Sequence, residues 1–478
     1  MKKVLLSLLS ASLLTGVCSA QTLRTTYEPV RYEDGTPVEV DGETEALFAQ
    51  DTFLADTTFT EQGDTLLTFR HASAFVQLRL DGLPADSDID RIILVPMHGE
   101  ITELPVTVPE SGTVDLWLAN APQRLPPTAA VAQGPDGRLW SVRLPAIDLK
   151  PGIAYPWTGN LLMQEELATD LQAKPLSQVL LDIEPGGYSG ITHIGGPIYA
   201  VVDDNREGGG IVLFRIPIDG YGTVGQVSMP DLKGMGASTG EMRDCEGIAF
   251  VPERRSFFVS SEKHQEILEY DLRGRETGCY LEVPEDLGTS RIQYNRGFEA
   301  LTYNPATALF WTTTESPLKK DTFLPRMLRL QSFDIDGNPA GRFLYRTEEP
   351  LVTDPSSAQA YVFGVPAMTA LDDGRLIVLE REVYVPKGGI LTKLRNAFSQ
   401  MSLYVVDPAG DSAGILRKAL LCSFRTGALD LANYEGMCLG PTFSDGRRCL
   451  VLIADSQNGS GGMVQEYVKV ILLGKSAQ

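Results

Sequence analysis

Residues 295–316 read NRGFEALTYNPATALFWTTTES. Two apolar runs, 298–303 and 308–314, flank a turn of Asn, Pro and Thr, which predicts a β-hairpin. Glu299 stands at the start of that hairpin and Glu315 at its end. A carboxylate at each end of a buried hairpin is costly unless something compensates it, so the pattern raises the question of whether it repeats. It does, in GGYSGITHIGGPIYAVVDDN (186–205), DCEGIAFVPERRSFFVSSEK (244–263), GVPAMTALDDGRLIVLEREV (364–383) and NYEGMCLGPTFSDGRRCLVLIADS (433–456). Each unit has a small-residue start, an apolar strand, a turn, a second apolar strand and an acidic end.

Two further strand candidates follow each of the first four units: GIVLFRIPID and GQVSMPDL, EILEYDL and CYLEVPE, MLRLQSFDI and GRFLYRTEE, MSLYVVD and KALLCSF. Four strands per unit, repeated, predict the blades of a β-propeller. The fifth unit ends with EYVKVILLG, one strand short, while QVLLDIE (178–184) precedes the first unit and is one strand over. The ring closes, and no strand edge stays open, if the early strand completes the last blade. This reckoning gives five blades, or six if the gap between Glu315 and Gly364 holds another.

In a propeller the first strand of every blade lines the axis, so a residue repeated there forms a ring. Glu246, Glu299 and Glu435 occupy that place in three units, with Ser189 and Ala367 in the other two. The second strands end in Asp203 and Asp204, Glu262, Glu315, Glu380 and Asp455, which the hairpin geometry brings to the same mouth. Carboxylates so crowded need a cation, shifted pKa values or neighbouring donors. Calcium, with six to eight oxygen ligands, suits such a ring, with Glu246, Glu299 and Glu435 as the metal ligands. The structural alternative is that these carboxylates accept hydrogen bonds from backbone amides of the next blade and latch the ring. Arg296, Arg326 and Arg381 lie near the motif and either pair with the carboxylates or receive an anionic ligand. A nucleophilic triad has little support: G-x-S-x-G is absent, and only Ser189 with His193, or Ser260 and Ser261 with His264, could start one.

The opening MKKVLLSLLSASLLTGVCSAQ has the basic start, apolar run and small residues of an export leader over residues 1–20. It predicts a protein of the periplasm, the outer-membrane surface or the medium. Cys18 is the alternative, a lipidated cysteine, but Val17 stands where that signal needs a small residue. No later run reaches the roughly 20 apolar residues of a membrane helix. The formal charge of −21 argues against nucleic acid as a partner. Five cysteines follow the leader: Cys245, Cys279, Cys422, Cys438 and Cys449. Their spacing holds no C-x-x-C metal pattern, so they read as small buried side chains, with one bridge, Cys438 to Cys449, as the alternative if their strands pair.

Residues 21–165 alternate short strand candidates with turns, predicting an antiparallel β-sandwich, and 166–177 (containing LATDLQAKPL) reads as a linker before a propeller over 178–478. Within the sandwich, FRHASAFVQLRLDGLP and LKPGIAYPWTGNLL resemble fimbrillin-like domains, which implies a cell-envelope or surface protein as partner. His71 and His98 have no nucleophile or metal ligand beside them and read as structural. In the propeller region, CEGIAFVPERRSFFVSSE, NRGFEALTYNPATALFWTTTESPL, DGRLIVLERE and NYEGMCLGPTFSDGRRCLVLIADSQN resemble the family labelled phytase-like, "esterase-like activity of phytase". The resemblance implies a secreted propeller acting on phosphate or carboxyl esters, with a site at Glu246, Glu299, Glu315, Glu380, Arg381, Glu435 and Asp455. Ala367 departs from its pattern, and the acid-histidine motif of other phytases is absent. The whole sequence therefore predicts an all-β, exported, metal-dependent ester hydrolase. Glu246, Glu299, Glu435 and Arg381 carry the chemistry, and Glu315, Glu380, Asp455, Glu262 and Asp204 bind a small ester or phosphate ligand. The alternative is a noncatalytic envelope module that binds a ligand or adheres.

Overall fold

The computed structural model describes residues 23–475 apart from 40, 60–64, 86, 238–239, 320, 322–323, 412 and 457–463. The segment read as an export leader, with Cys18, lies outside the described residues. The chain divides into two compact units: one holds the residues up to Pro96 and Thr102–Met163, the other Met97–Ile101 and Gln164–Gln478. No helix among the described residues is long and apolar enough to cross a membrane.

The first unit packs two sheets face to face. One has the strand order Leu162–Met163, Leu139–Leu144, Thr128–Gln133, Arg91–Pro96, Thr102–Pro105, and the other Arg31–Tyr32, Ile153–Asn160, Ala74–Asp81, Val114–Asn120. Val76, Leu78 and Trp157 from one sheet and Ile92, Ala130 and Trp140 from the other form the core between them. The sandwich is mixed, not antiparallel: Ile153–Asn160 runs parallel to Ala74–Asp81, and Leu23–Tyr27 runs parallel to Thr65–His71. Alternation of apolar residues reports which face is buried and carries nothing about strand direction. His71 is buried, bonded by Tyr27 Oη at 2.7 Å and Asp51 Oδ2 at 3.1 Å, and is structural as expected.

The second unit is a five-bladed ring. Blade I holds Tyr188–Gly195, Ile198–Asp203 and Ile211–Arg215; blade II holds Cys245–Val251, Ser256–Ser261, Glu266–Asp271 and Glu276–Leu281. Blade III holds Phe298–Asn304, Leu309–Thr314, Met327–Phe333 and Pro339–Arg346; blade IV holds Ala358–Ala370, Leu376–Pro386, Phe398–Val406 and Lys418–Gly427. Blade V holds Asn433–Thr442, Arg448–Asp455 and Tyr467–Lys475, and Leu171–Leu180 from the start of the unit pairs with its last strand, Leu171 opposite Lys475 and Leu180 opposite Tyr467. The region read as a linker over 166–177 is thus largely strand, because every amide that this seam uses must find a partner. The gap from Glu315 to Gly364 contains the two outer strands of blade III and no sixth blade.

Blade I has three strands. GQVSMPDL makes only the bridge Arg215 to Ser228, since Pro217 and Pro230 on either side donate no amide and the ladder cannot continue. Apolar layers between consecutive blades hold the ring together. Val202 and Val259 meet between I and II, Phe258 and Phe310 between II and III at 4.5 Å between ring centroids, and Val201 and Val451 between I and V. Blade III also buries a charged quartet. Asp286 Oδ2 accepts from Arg329 Nη1 and Arg342 Nη1, both at 2.6 Å, and Asp321 accepts from Arg329 at 2.7 and 3.0 Å. Cys438 and Cys449 are both free thiols, because the register sets Val451 opposite Cys438, so the alternative bridge between them does not form.

Candidate functional site

Each inner strand slips by one residue near its start: after Tyr188, Cys245, Phe298, Gly364 and Tyr434 the pairing resumes out of step. Such a bulge frees one residue from the ladder and re-aims its side chain. The freed residues are Ser189, Glu246, Glu299, Val365 and Glu435. Val365, and not Ala367, therefore fills the ring position in blade IV; the sequence alignment stepped over the bulge. The strands approach so closely here that a Cβ on Gly247 would lie 2.6 Å from Glu299 O, and one on Gly436 2.2 Å from Ser189 O. In blades II and V the glycine after the glutamate is therefore a packing requirement, whereas blade III accommodates Ala300 there.

The same register sorts the second-strand carboxylates. Asp203, Ser261, Thr314, Arg381 and Ala454 are each paired with the residue before the bulge. The next residues are Asp204, Glu262, Glu315, Glu382 and Asp455. Glu382, and not Glu380, belongs to this set; the two stand two residues apart on one strand and so share a face, opposite that of Arg381. Glu380 points into blade IV's outer side, where it accepts from Tyr345 Oη at 2.6 Å, Lys418 Nζ at 2.7 Å and Glu348 N at 2.9 Å.

Some of these carboxylates are latches. Glu262 accepts from Gly297 N at 2.6 Å, tying blade II to the entry of blade III, and Glu382 accepts from Leu351 N and Val352 N, both at 2.8 Å. Others are ion-paired. Arg381, 2 % exposed, donates to Glu315 and Glu435 and to Asn433 Oδ1 at 3.0 Å, while Arg296 takes the other oxygen of Glu315. The sequence reading gave Arg381 to an anionic ligand. Its terminal nitrogens are instead occupied by carboxylates, so it neutralises the mouth from beneath. Arg326 pairs with Glu349 and Thr347 O, away from the axis.

A third group is neither latched by another blade's amides nor ion-paired among the described residues, its hydrogen bonds being to side chains: Asn205 Nδ2 donates to Asp204, and Ser189 bonds Glu246. Oxygens of Asp204, Asp244 and Glu246 lie within 4.8 Å of one another. Burial, then the fields of Glu299, Glu435 and Glu262, holds the Glu246 carboxyl well above the usual range. Glu299 is raised the same way, by burial and then Glu315 and Glu435, with Arg381 opposing, and its side chain makes no hydrogen bond among the described residues. Asp204 is pushed up to about 7 by burial, then by Glu435, Asp203 and Asp244. Burial also raises Asp244, with Lys263 opposing. Asp244 sits at φ 55°, a left-handed conformation that costs a non-glycine residue about 1 kcal/mol or more and concentrates at functional sites. The sequence reading quoted DCEG but passed over its Asp; an acid two residues before the ring glutamate was the available signal.

At this mouth seven carboxylates, Asp204, Asp244, Glu246, Glu262, Glu299, Glu315 and Glu435, face two guanidinium groups, Arg296 and Arg381. His193 Nε2 bonds Gly196 O at the far end of its strand, Ser260 Oγ accepts from Gly247 N, Ser261 Oγ donates to Arg243 O and His264 Nε2 faces Glu241 at 3.7 Å, so neither candidate triad assembles.

A family model described as "Phytase-like: Esterase-like activity of phytase" matches residues 183–457. No curated protein matches the chain. Among solved structures, the chain is similar to the periplasmic gluconolactonase PpgL of Pseudomonas aeruginosa (12 % identity over 84 % of this chain and 99 % of that one, TM-score 0.29). It is also similar to a member of the duf4221 family from Bacteroides vulgatus (8 % identity, 88 % and 99 %, TM-score 0.29). A third similarity is to the hydrazine synthase of Kuenenia stuttgartiensis (11 % identity, 63 % of this chain, TM-score 0.28), of whose chain the match spans 65 %. At these TM-scores the likenesses carry no argument about activity.

Proposed function

The chain belongs to the phytase-like family, and from that premise we propose that it is a cation-dependent hydrolase of phosphate or carboxyl esters working at the acidic mouth of the propeller. The observation that supports this reading is the convergence of Asp204, Asp244 and Glu246, which neither a guanidinium group nor an amide of another blade serves among the described residues, backed by Glu299. A purely structural ring would bond its carboxylates as Glu262 and Glu382 are bonded. The donor set, hard carboxylate oxygens of several residues, fits calcium, with Asp204, Asp244 and Glu246 as its holders. When bound, the cation neutralises the crowded carboxylates and polarises an ester oxygen or a water. Glu299, raised and without a hydrogen-bond partner among the described residues, is the group able to take or give a proton at the reacting centre. Glu435 and Glu315 hold Arg381, whose charge keeps Glu299 from rising further. In this reading the protein is exported and the N-terminal sandwich docks it to an envelope partner.

The test is thermal unfolding in EDTA and then in excess calcium chloride, followed by assay on aryl phosphate and aryl acetate esters. The reading expects calcium to raise the melting temperature of the native protein, the Asp244→Asn/Glu246→Gln variant to lose that rise, and Glu299→Gln to keep the rise while losing turnover. Absence of any calcium response in the native protein removes the cation from the reading. A calcium response without turnover on either ester class leaves a ligand-binding module.

A further inference from the structure

The inner hairpin of blade IV is built from strands of 13 and 11 residues, against 7 and 6 in blades II and III. Its pairing runs from Phe363 opposite Glu382 out to Ala358 opposite Pro386, beyond the bulge at Gly364, and the third strand follows it to Phe398 opposite Tyr384. The result is an arm that continues past the acidic mouth. At its end stands a short helix, Ile390–Asn396, with Ile390 75 %, Leu391 69 % and Leu394 45 % exposed. The neighbouring loop adds Leu351, 57 % exposed, and is pinned to the arm by Glu382 and by Lys387, which donates from its backbone to Ser357 O and from Nζ to Ser356 O. Among the described residues nothing covers these four apolar side chains.

Charge separates the helix and the strands beside it from the rest of the molecule. Residues 383–406 contain Lys387, Lys393 and Arg395 and no acid, in a chain of formal charge −21. The pinned loop carries three acids, each with a cation: Glu348 pairs with Lys418, Glu349 with Arg326, and Asp354 faces Lys387. Exposed aliphatic side chains flanked by cations are what an interfacial helix offers to a bilayer: the aliphatic groups enter the headgroup boundary and the cations meet anionic headgroups. An anionic surface repels the remainder of the chain and attracts this tip, so charge also selects the orientation. We propose that the blade IV arm is a membrane-surface anchor for bilayers bearing anionic headgroups, holding the acidic mouth beside the lipid surface. The inference does not rest on the hydrolase reading.

Co-sedimentation of the full protein with vesicles tests it, in EDTA so that calcium cannot bridge carboxylates to lipid. The vesicles are phosphatidylcholine alone, and one part phosphatidylglycerol to three parts phosphatidylcholine. The native protein should pellet with the anionic vesicles, less in high salt and several-fold less with phosphatidylcholine alone. Ile390→Ser/Leu391→Ser/Leu394→Ser, all exposed and so compatible with folding, should lower the partition by on the order of a hundredfold. Lys393→Gln/Arg395→Gln should lower it by on the order of tenfold and flatten the salt dependence. The proposal is overturned if the native protein stays in the supernatant, if the serine variant pellets equally, or if the serine changes instead convert a dimer to a monomer.

Discussion

Two clusters of buried charge lie in the same propeller and are built on opposite principles. In blade III, two acids and two arginines close on one another: Asp286 and Asp321 each accept from Arg329, and Asp286 also from Arg342, whose Nε reaches Gln331 Oε1 at 2.9 Å. At the axial mouth seven carboxylates share two arginines. The quartet is complete without any other molecule. The mouth is not, and the surplus sits on the residues that neither amides nor guanidinium groups serve. Burial of charge is by itself uninformative about function; what distinguishes the two clusters is whether the neighbours balance it.

The sharpest way to break that contrast is to unbalance the quartet. Arg329→Met leaves Asp321 without its ion-pair partner and should cost about 3–5 kcal/mol in urea unfolding while leaving any calcium response intact. If instead the calcium response disappears, the two clusters are not independent. Next in size is the cation itself. Calcium at a hundred times its dissociation constant should add about 2.7 kcal/mol to the native protein and nothing to Asp244→Asn/Glu246→Gln. In EDTA that same variant should melt close to the native protein, since the repulsion it removes offsets the loss of the Lys263 attraction at Asp244 and the weakened Ser189 bond at Glu246; a loss as large as that of Arg329→Met would make these carboxylates structural.

The pH dependence sharpens the comparison further. Asp204 and Glu262 are pushed up to about 7 in the folded protein, against roughly 4 for exposed carboxylates. The native state therefore holds protons that the unfolded chain has released, and stability in EDTA falls as pH rises from about 4 through 7. Saturating calcium should flatten that slope, which melting temperatures across the range will read. The smallest expected effect is at a latch. Glu262→Gln keeps an oxygen able to accept from Gly297 N and should cost less than about 1 kcal/mol, whereas Glu262→Ala abandons that amide and should cost more, as equilibrium unfolding of the pair will show.

The propeller was legible in the sequence because five hairpins repeat one apolar plan, and the unpaired strand at each end predicted the seam. Errors arose where one residue decides the matter. LIVLERE has the same hydrophobic pattern whether Glu380 or Glu382 is the acid in register with the other blades, and only the bulge at Gly364 settles it. The same bulge moved the blade IV ring position from Ala367 to Val365. Arg381 was read as facing a ligand because sequence spacing cannot show that Glu315 and Glu435 arrive from other blades to claim it. Asp244 was missed because a left-handed residue just before a strand has no periodicity to announce it. In the N-terminal unit, alternation located the strands but could not tell the parallel returns from antiparallel ones.

The seam between Leu171–Leu180 and Tyr467–Lys475 also sets an order of events. A chain made from its N-terminus holds the first of these strands through the synthesis of nearly the whole propeller before the second exists. Until then the first strand presents unpaired amides, and blade V lacks two of its four strands. Closure is thus the last step available, delayed by the most distant pairing in the propeller. A nascent chain interrupted anywhere before residue 467 is an open arc with an adhesive strand at each end, which makes partial products of this protein far more prone to join one another than the finished ring.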